Sequence, residues 1–339
     1  MKQRVLSGMR PTGGLHLGHY HGALKNWVRL QPDYECFFFV ADWHALTTHY
    51  RDREVIERNV YDMVIDWLAA GIDPERATLF IQSRLPEHAE LFALLAMSTP
   101  LSWLERVPTY KDMMQGPIDR DLATYGFLGY PLLQAADILI YKAAFVPVGA
   151  DQAPHVEVTR EIARRFNHLY GRAPQHPDDA PRTVLPEPAV LLTEASKLPG
   201  LDGAKMSKSL GNDIAMREPP AEVERKIRRM QTDPDRVRRT DAGNPERCPV
   251  WQFHRVYSDA DTRAWVVKGC TSAGIGCLEC KQPVIDAIVA EQEPWRERAE
   301  AYLSNPKQVH WIVEVGTERA RTAARKTMRE VRTAMGLVY

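Results

Sequence analysis

Six consecutive apolar residues, Cys36-Phe37-Phe38-Phe39-Val40-Ala41, stop at Asp42. So short and unbroken a run has no polar face to offer water, and it reads as a strand buried on both faces, the form found in parallel sheets covered by helices. The flanking sequence supplies those helices. Arg4 to Ser7 reads as a strand, Gly8 to Gly14 as a turn-rich loop, and Leu24, Trp27, Val28 and Leu30 as the apolar side of a helix. From Glu54 to Ala70 the residues Ile56, Val60, Met63, Val64, Trp67 and Leu68 fall at helical spacing, with Gly71 where a C-cap belongs. Strands are expected again at Thr78 to Gln82 and Val146 to Gly149, and a helix at Gln152 to Phe166. This alternation predicts an α/β fold, a Rossmann-like parallel sheet whose ligand crevice lies at the carboxyl ends of its strands.

The Pro- and Asp-rich stretch 171–188 reads as a surface loop. Beyond Arg217 strand signals fade and helices are expected, among them Ala221 to Met230 and a long one from about Thr317 to Met335. At 339 residues the chain has room for two domains, divided here into 1–217 and an all-helical 218–339. With 44% hydrophobic and 26% charged residues the composition is that of a soluble globular protein, which excludes collagen-like and disordered classes. No apolar run approaches the roughly 18 to 20 residues of a membrane span, and Met1-Lys2-Gln3-Arg4 leads into a strand instead of a leader, so a cytoplasmic enzyme is expected. Forty-four basic residues balance forty-four acidic ones, so any RNA partner must be held by local patches.

Two motifs carry chemistry. His16-Leu17-Gly18-His19 stands at the loop-to-helix junction after the first strand. Gly18 permits close approach of a nucleotide, and the helix N-terminus and two imidazoles face a bound anion. Alone, the motif reads equally as a helix entry with surface histidines. Lys205-Met206-Ser207-Lys208-Ser209 lies between Leu198-Pro199-Gly200-Leu201-Asp202-Gly203 and Gly211-Asn212, placing two ammonium groups on a loop able to close on a departing pyrophosphate. In this order the pair points to nucleotidyl transfer.

The pair resembles the signatures of class I aminoacyl-tRNA synthetases, and most of the chain resembles the bacterial tryptophanyl enzymes. The resemblance is carried by Ser7 to Gly13, the HLGH run, Gly22-Ala23-Leu24, Gly71 to Pro74, Phe80 to Ser83, Tyr130-Pro131, Ala135 to Leu139, Val146 to Gln152 and the KMSKS loop. It is dense over about the first 217 residues and loose beyond. It implies that tryptophan's carboxylate attacks the α-phosphorus of ATP, with Mg2+ held chiefly by phosphates and water, before transfer to a tRNA(Trp) 3′ ribose.

Asp137 lies in an apolar helical run, Gln134 to Ile140, where a carboxylate needs a reason to be present. A helix aspartate paired with a nearby cation is one reason, and acceptance of an indole N–H, as the resemblance implies, is another. The resemblance further assigns Tyr130 and Gln152 to the substrate ammonium, His44 to its carboxylate, Leu6, Val146 and Val148 to the ring walls, and Gly8 and Gln134 to the same pocket. For ATP it implies Arg10, Pro11, Thr12, Gly18 and His19, then Gly149, Ala150 and Asp151, then Leu198 and Lys205 to Ser209, with Lys111 at the phosphates. His16, His19, Lys111, Lys205 and Lys208 form the catalytic set. Many relatives carry Thr and Asn at His16 and His19, Gln at Arg10 and Met at Gln134. The histidines restore the class-wide motif, Arg10 adds a cation, and Gln134 brings an amide beside the indole.

Cys248, Cys270, Cys277 and Cys280 follow C-x21-C-x6-C-x2-C and hold four of the five cysteines. Such clustering suits a metal, either structural zinc or a four-iron cluster. With Pro249-Val250-Trp251 after the first cysteine, it resembles the subset of bacterial tryptophanyl enzymes bearing a [4Fe-4S] cluster. Basic runs between Arg217 and Thr240 and from Arg319 to Arg332 are candidate tRNA contacts, and the resemblance implies a homodimer without a membrane partner. A tyrosyl enzyme, a small HxGH nucleotidyltransferase and a non-catalytic RNA-binding or redox-sensing paralogue are the competing readings.

Overall fold

The computed structural model describes residues 2–108, 110–111, 124–149, 153–171, 182–192 and 198–339. Five strands, β1 (Arg4–Met9), β2 (Glu35–Val40), β3 (Ala77–Ile81), β4 (Phe145–Val148) and β5 (Ala189–Leu192), form one parallel sheet in the order β3-β2-β1-β4-β5. The chain runs outward from β1 to β3, then returns to place β4 on the other side of β1. The ligand crevice of such a sheet opens where that order reverses, at the carboxyl ends of β1 and β4.

β2 behaves as its composition requires. Cys36, Phe38 and Val40 enter one core and Phe37, Phe39 and Ala41 the other, one on each face of the sheet. Trp27 stacks on Phe38 with ring centroids 4.4 Å apart, while Phe37 meets Tyr141 at 5.0 Å. Helices α1 (Leu17–His19), α2 (Lys25–Leu30), α3 (Asp42–His49) and α4 (Arg53–Ala70) follow the first two strands. Gly71 ends α4 at φ 110°, the left-handed C-cap expected from its position. Helices α5 (Glu87–Ala96), α6 (Leu101–Glu105) and α7 (Tyr125–Ile140) separate β3 from β4, and α8 (Ala153–Tyr170) leads toward β5.

After β5 the described chain contains helices and turns: α9 (Pro220–Arg229), α10 (Pro249–Tyr257), α11 (Ala260–Thr271), α12 (Cys277–Leu303) and α13 (Pro306–Ala334). α13 starts eleven residues before the expected Thr317, with Pro306 at its first turn. It lies on edge strand β3 so closely that a Cβ on Gly316 would stand 1.9 Å from the Leu79 carbonyl oxygen. An exposed sheet edge is thereby covered. β5 was not expected, because four residues carry too little pattern. Part of the 171–188 stretch, residues 172–181, lies outside the described residues. No helix among those described is long and apolar enough to cross a membrane.

Candidate active site

β1 delivers the chain to the crevice, and Leu15 and Leu17, both buried, pin the segment that follows. His16 caps α1 with an extended backbone, and its N–H donates to His19 Nδ1 at 3.2 Å. The two imidazoles lie 3.8 Å apart. His19 is half-open to solvent at the crevice, yet protein surrounds the ring. That enclosure, followed by the His16 and Lys205 charges, lowers its pKa to about 3. A neutral ring whose Nδ1 accepts a hydrogen bond carries its proton on Nε2, so His19 presents a neutral N–H donor. Burial likewise depresses His16, against a nearby Asp213 and with Lys205. Residues Tyr20–Leu24 form a π-helical turn before α2 resumes, a departure from α geometry common at functional sites.

The KMSKS loop packs on this motif. Leu17 N–H donates to Ile214 O and Met216 N–H to Leu15 O, stitching the chain after the loop to both sides of His16. A Cβ on Gly18 would press on the His16 ring at 3.0 Å and stand in ordinary contact with Met206 Cβ at 3.5 Å, so glycine relieves the turn around His16 while the KMSKS loop packs beside it. Lys208 reaches over the first loop, its Nζ 3.4 Å from the Cβ position of Gly14, and Lys205 is exposed within electrostatic reach of both histidines. Leu198 and Met206 are buried beneath. Asn212 organises the loop: its Oδ1 accepts from Ser207 N–H at 2.7 Å, and its Nδ2 donates to Asp202 and to Lys205 O. Gly200 faces that amide at 2.3 Å from its Cβ position, and Gly203 and Gly211 take φ +84° and +64°. Ser209 lies in the 3-10 turn Lys208–Leu210. Asn212 was not among the expected site residues, although its place after Gly211 marked the loop's end.

Across the crevice, Tyr130, Gln134 and Asp137 are spaced to share one face of α7. Asp137 is 1% exposed. His44 Nε2 lies 2.7 Å from its Oδ2, and Gln82 Nε2 and His88 Nδ1 lie 2.8 and 2.6 Å from its Oδ1. Burial pushes its pKa up, but hydrogen bonds from His44 and His88 outweigh it and hold the carboxylate below its ordinary value. His44, assigned from the resemblance to the substrate carboxylate, thus touches Asp137. Gln82 and His88 were missed as site residues. A glutamine ending the apolar strand Ala77–Ile81 was the available signal, whereas His88 on α5 gave none.

Leu6 and Val146 are buried at the crevice floor, with Val148 half-buried and Gly149 following β4. The Phe39 ring occupies the space a Gly8 side chain would need, 2.6 Å from its Cβ position. Arg10 is reachable by solvent yet enclosed on most sides; enclosure lowers its pKa against the influence of Tyr130, and Nη1 lies 3.4 Å from Thr48 Oγ1. Pro11 is buried and Thr12 N–H donates to Arg10 O. Lys111 is exposed at the edge of a described segment, and Ala150, Asp151 and Gln152 lie outside the described residues.

Far along the chain, Cys248 precedes α10, Cys270 ends α11, and Cys277 and Cys280 open α12. Burial, then the charges of Cys248, Cys270 and Cys277, push Cys280 up to about 12. No three His, Cys, Asp or Glu side chains among the described residues converge closely enough to hold a single metal ion. Tetrahedral zinc would draw its sulfurs to about 3.8 Å from one another, given Zn–S bonds of about 2.3 Å. Arg236 Nη1 is 3.9 Å from Cys270 Sγ, and His254, which burial lowers to a pKa of about 4 and so keeps neutral, has Nε2 3.4 Å from Cys280 Sγ. Lys281, 3% exposed, lies within reach of the Cys248, Cys277 and Cys280 charges. Among the described residues the four cysteines are thus a metal donor set by residue type, with Arg236 and Lys281 nearby, and not by convergence of their side chains.

The family described as tRNA synthetases class I (W and Y) matches residues 1–291. The chain is 60% identical to the tryptophan–tRNA ligase of Ralstonia nicotianae, with 99% of each chain covered, and 51% identical to that of Thermotoga maritima, with 99% of this chain and all of the relative covered. Its fold is similar to that of the tryptophanyl-tRNA synthetase of Campylobacter jejuni solved with ADP and tryptophan, at a TM-score of 0.84, 31% identity, and 98% and 100% coverage.

Proposed function

The chain belongs to the class I tRNA synthetases of the tryptophan and tyrosine type, and from that premise we propose the following account of its site. It activates L-tryptophan with ATP and transfers the amino acid to the 3′ end of tRNA(Trp). The observation that carries the residue-level reading is the contact between the two motifs, with the KMSKS loop seated on Gly18 and Lys208 reaching over Gly13 and Gly14.

A carboxylate is already a nucleophile at neutral pH, so this chain's residues have positioning and charge stabilisation to perform. His19 donates a neutral N–H to the ATP phosphates beside His16, while Lys205 and Lys208 meet the charge that develops on the leaving pyrophosphate. Mg2+ accompanies ATP. Arg10, Pro11, Thr12, Gly18, Gly149, Ala150, Asp151, Leu198, Met206, Ser207 and Ser209 complete the nucleotide site, with Lys111 at the phosphates. Asp137 accepts the indole N–H among Leu6, Gly8, Gln134, Val146 and Val148, and Tyr130 and Gln152 hold the ammonium. His44 serves the substrate carboxylate from its place on Asp137.

We assign the catalytic domain to residues 1–217 and tRNA contact to the helical 218–339. Within the candidate basic runs, Arg225, Arg228, Arg325 and Arg332 are paired with Glu222, Glu224, Glu87 and Glu90. Arg229, Arg238, Lys326 and Arg329 have no ion pair with another described residue and are the better RNA contacts. The exposed Met97, Leu101 and Tyr125 support a homodimer through the face of α5 to α7. The reaction belongs in the cytoplasm, where ATP and tRNA are found. Cys248, Cys270, Cys277 and Cys280 would hold a [4Fe-4S] cluster in preference to zinc, supplying a structural cross-link between α10, α11 and α12.

Charging of a tRNA(Trp) transcript tests the function. Tryptophan should be esterified to its 3′ end with ATP, and tyrosine should not; charging with tyrosine at a comparable rate would refute the assignment.

A further inference from the structure

Asp137 is more heavily engaged by protein than a lone substrate acceptor requires. A carboxylate offers about four lone-pair directions. Gln82 and His88 take both on Oδ1, and His44 takes one on Oδ2. One acceptor direction, on Oδ2, stays open.

Behind His88 stands Tyr141, fully buried, its hydroxyl 2.7 Å from His88 Nε2. Burial, then the charges of Asp137 and Glu87, raise the Tyr141 pKa well above its ordinary value, so it keeps its proton. A hydroxyl donating to Nε2 places the proton of a neutral His88 on Nδ1, aimed at Asp137. Phe39 and Phe80 lie 6.3 and 6.1 Å from the imidazole between ring centroids. Gln82, 0% exposed, is oriented by the same carboxylate: Nε2 must face Oδ1, and its own Oε1 has no partner among the described residues.

We propose that His88, set by Tyr141 and joined by Gln82, is the positioning residue of amino-acid selection, because it closes Oδ1 of Asp137 and leaves one acceptor direction for one ring N–H. The proposal rests on Asp137 as the indole acceptor. It makes preference for tryptophan depend on two residues that do not touch the substrate.

The test is ATP–pyrophosphate exchange by the full chain with L-tryptophan and with L-3-(benzothiophen-3-yl)alanine, whose sulfur replaces the N–H. Wild type should prefer tryptophan by at least about a hundredfold in kcat/KM. His88→Leu should cut that preference at least tenfold, mainly through the tryptophan KM. His88→Asn, which restores an N–H near the Nδ1 position, should recover most of it, and Tyr141→Phe should fall between. Equal losses for both substrates, an unchanged preference in His88→Leu and Tyr141→Phe, or failure of His88→Asn to recover would overturn the proposal. If His88→Leu does not fold, Tyr141→Phe decides alone. A wild-type enzyme without tryptophan-dependent exchange would instead overturn the reading of the site, and this proposal with it.

Discussion

At the scale of single residues, the protonation of the HLGH pair decides what the site can do. Enclosure holds His19 neutral down to about pH 3, far under the ordinary 6.5. The unfolded chain binds a proton near 6.5 and the folded one only near 3, so this residue's contribution to stability declines as pH falls through that interval. Catalysis should show the complement: kcat/KM for ATP has no inflection from His19 between about pH 5 and 8, which a pH–rate profile checks. His19→Asn, keeping a neutral N–H, should retain most activity, whereas His19→Ala should lower kcat about a hundredfold. The two signature motifs were legible because each is one contiguous run, so that the sequence alone records its residues and their order. The partners of Asp137 were not. Gln82 and His88 come from separate elements and meet it only through the sheet order, which no local spacing records.

Among the elements, the legible ones carry strong pattern. The β2 run divides between two cores, and the periodicity of α4 ends at Gly71 as its sequence dictates. β5 is four residues long and its pattern too brief to read. The first turns of α13 were missed because Trp311 is exposed and Gly316, a poor helix former, occupies a contact where any side chain would strike β3. Gly316→Ala should therefore destabilise the fold by about 1–3 kcal/mol despite alanine's better helix propensity, a loss visible as a lower midpoint in thermal or urea unfolding. Asn212→Ala removes three hydrogen bonds from the KMSKS loop. It should reduce kcat about tenfold or more while leaving the tryptophan KM nearly unchanged, since it loosens the lysines and not the indole pocket.

For the whole molecule, the helical region is tied to the catalytic sheet at polar joints. His21, on the π turn, meets Tyr257 and Glu291, and Arg298 donates to Ala69 O, while at the boundary Arg217 meets Asp62 and Asp66. Asp66 is buried, so Arg217→Met should destabilise by about 3 kcal/mol or more by leaving its carboxylate without a cation, again read by unfolding. Protein purified without oxygen should be brown, with about four iron and four sulfide per chain, and Cys270→Ser should lose both yet still form adenylate; stoichiometric zinc without sulfide would contradict the cluster. On the proposed reading HLGH, the KMSKS loop and Asp137 form one tryptophan-activating site. Its most direct test is transfer of label from pyrophosphate into ATP by wild type and Asp137→Asn. Exchange should occur only when tryptophan is present, and Asp137→Asn should lose preference for tryptophan by the equivalent of about 1.5–3 kcal/mol; exchange supported equally by tyrosine, or a substitution without effect, would refute that reading.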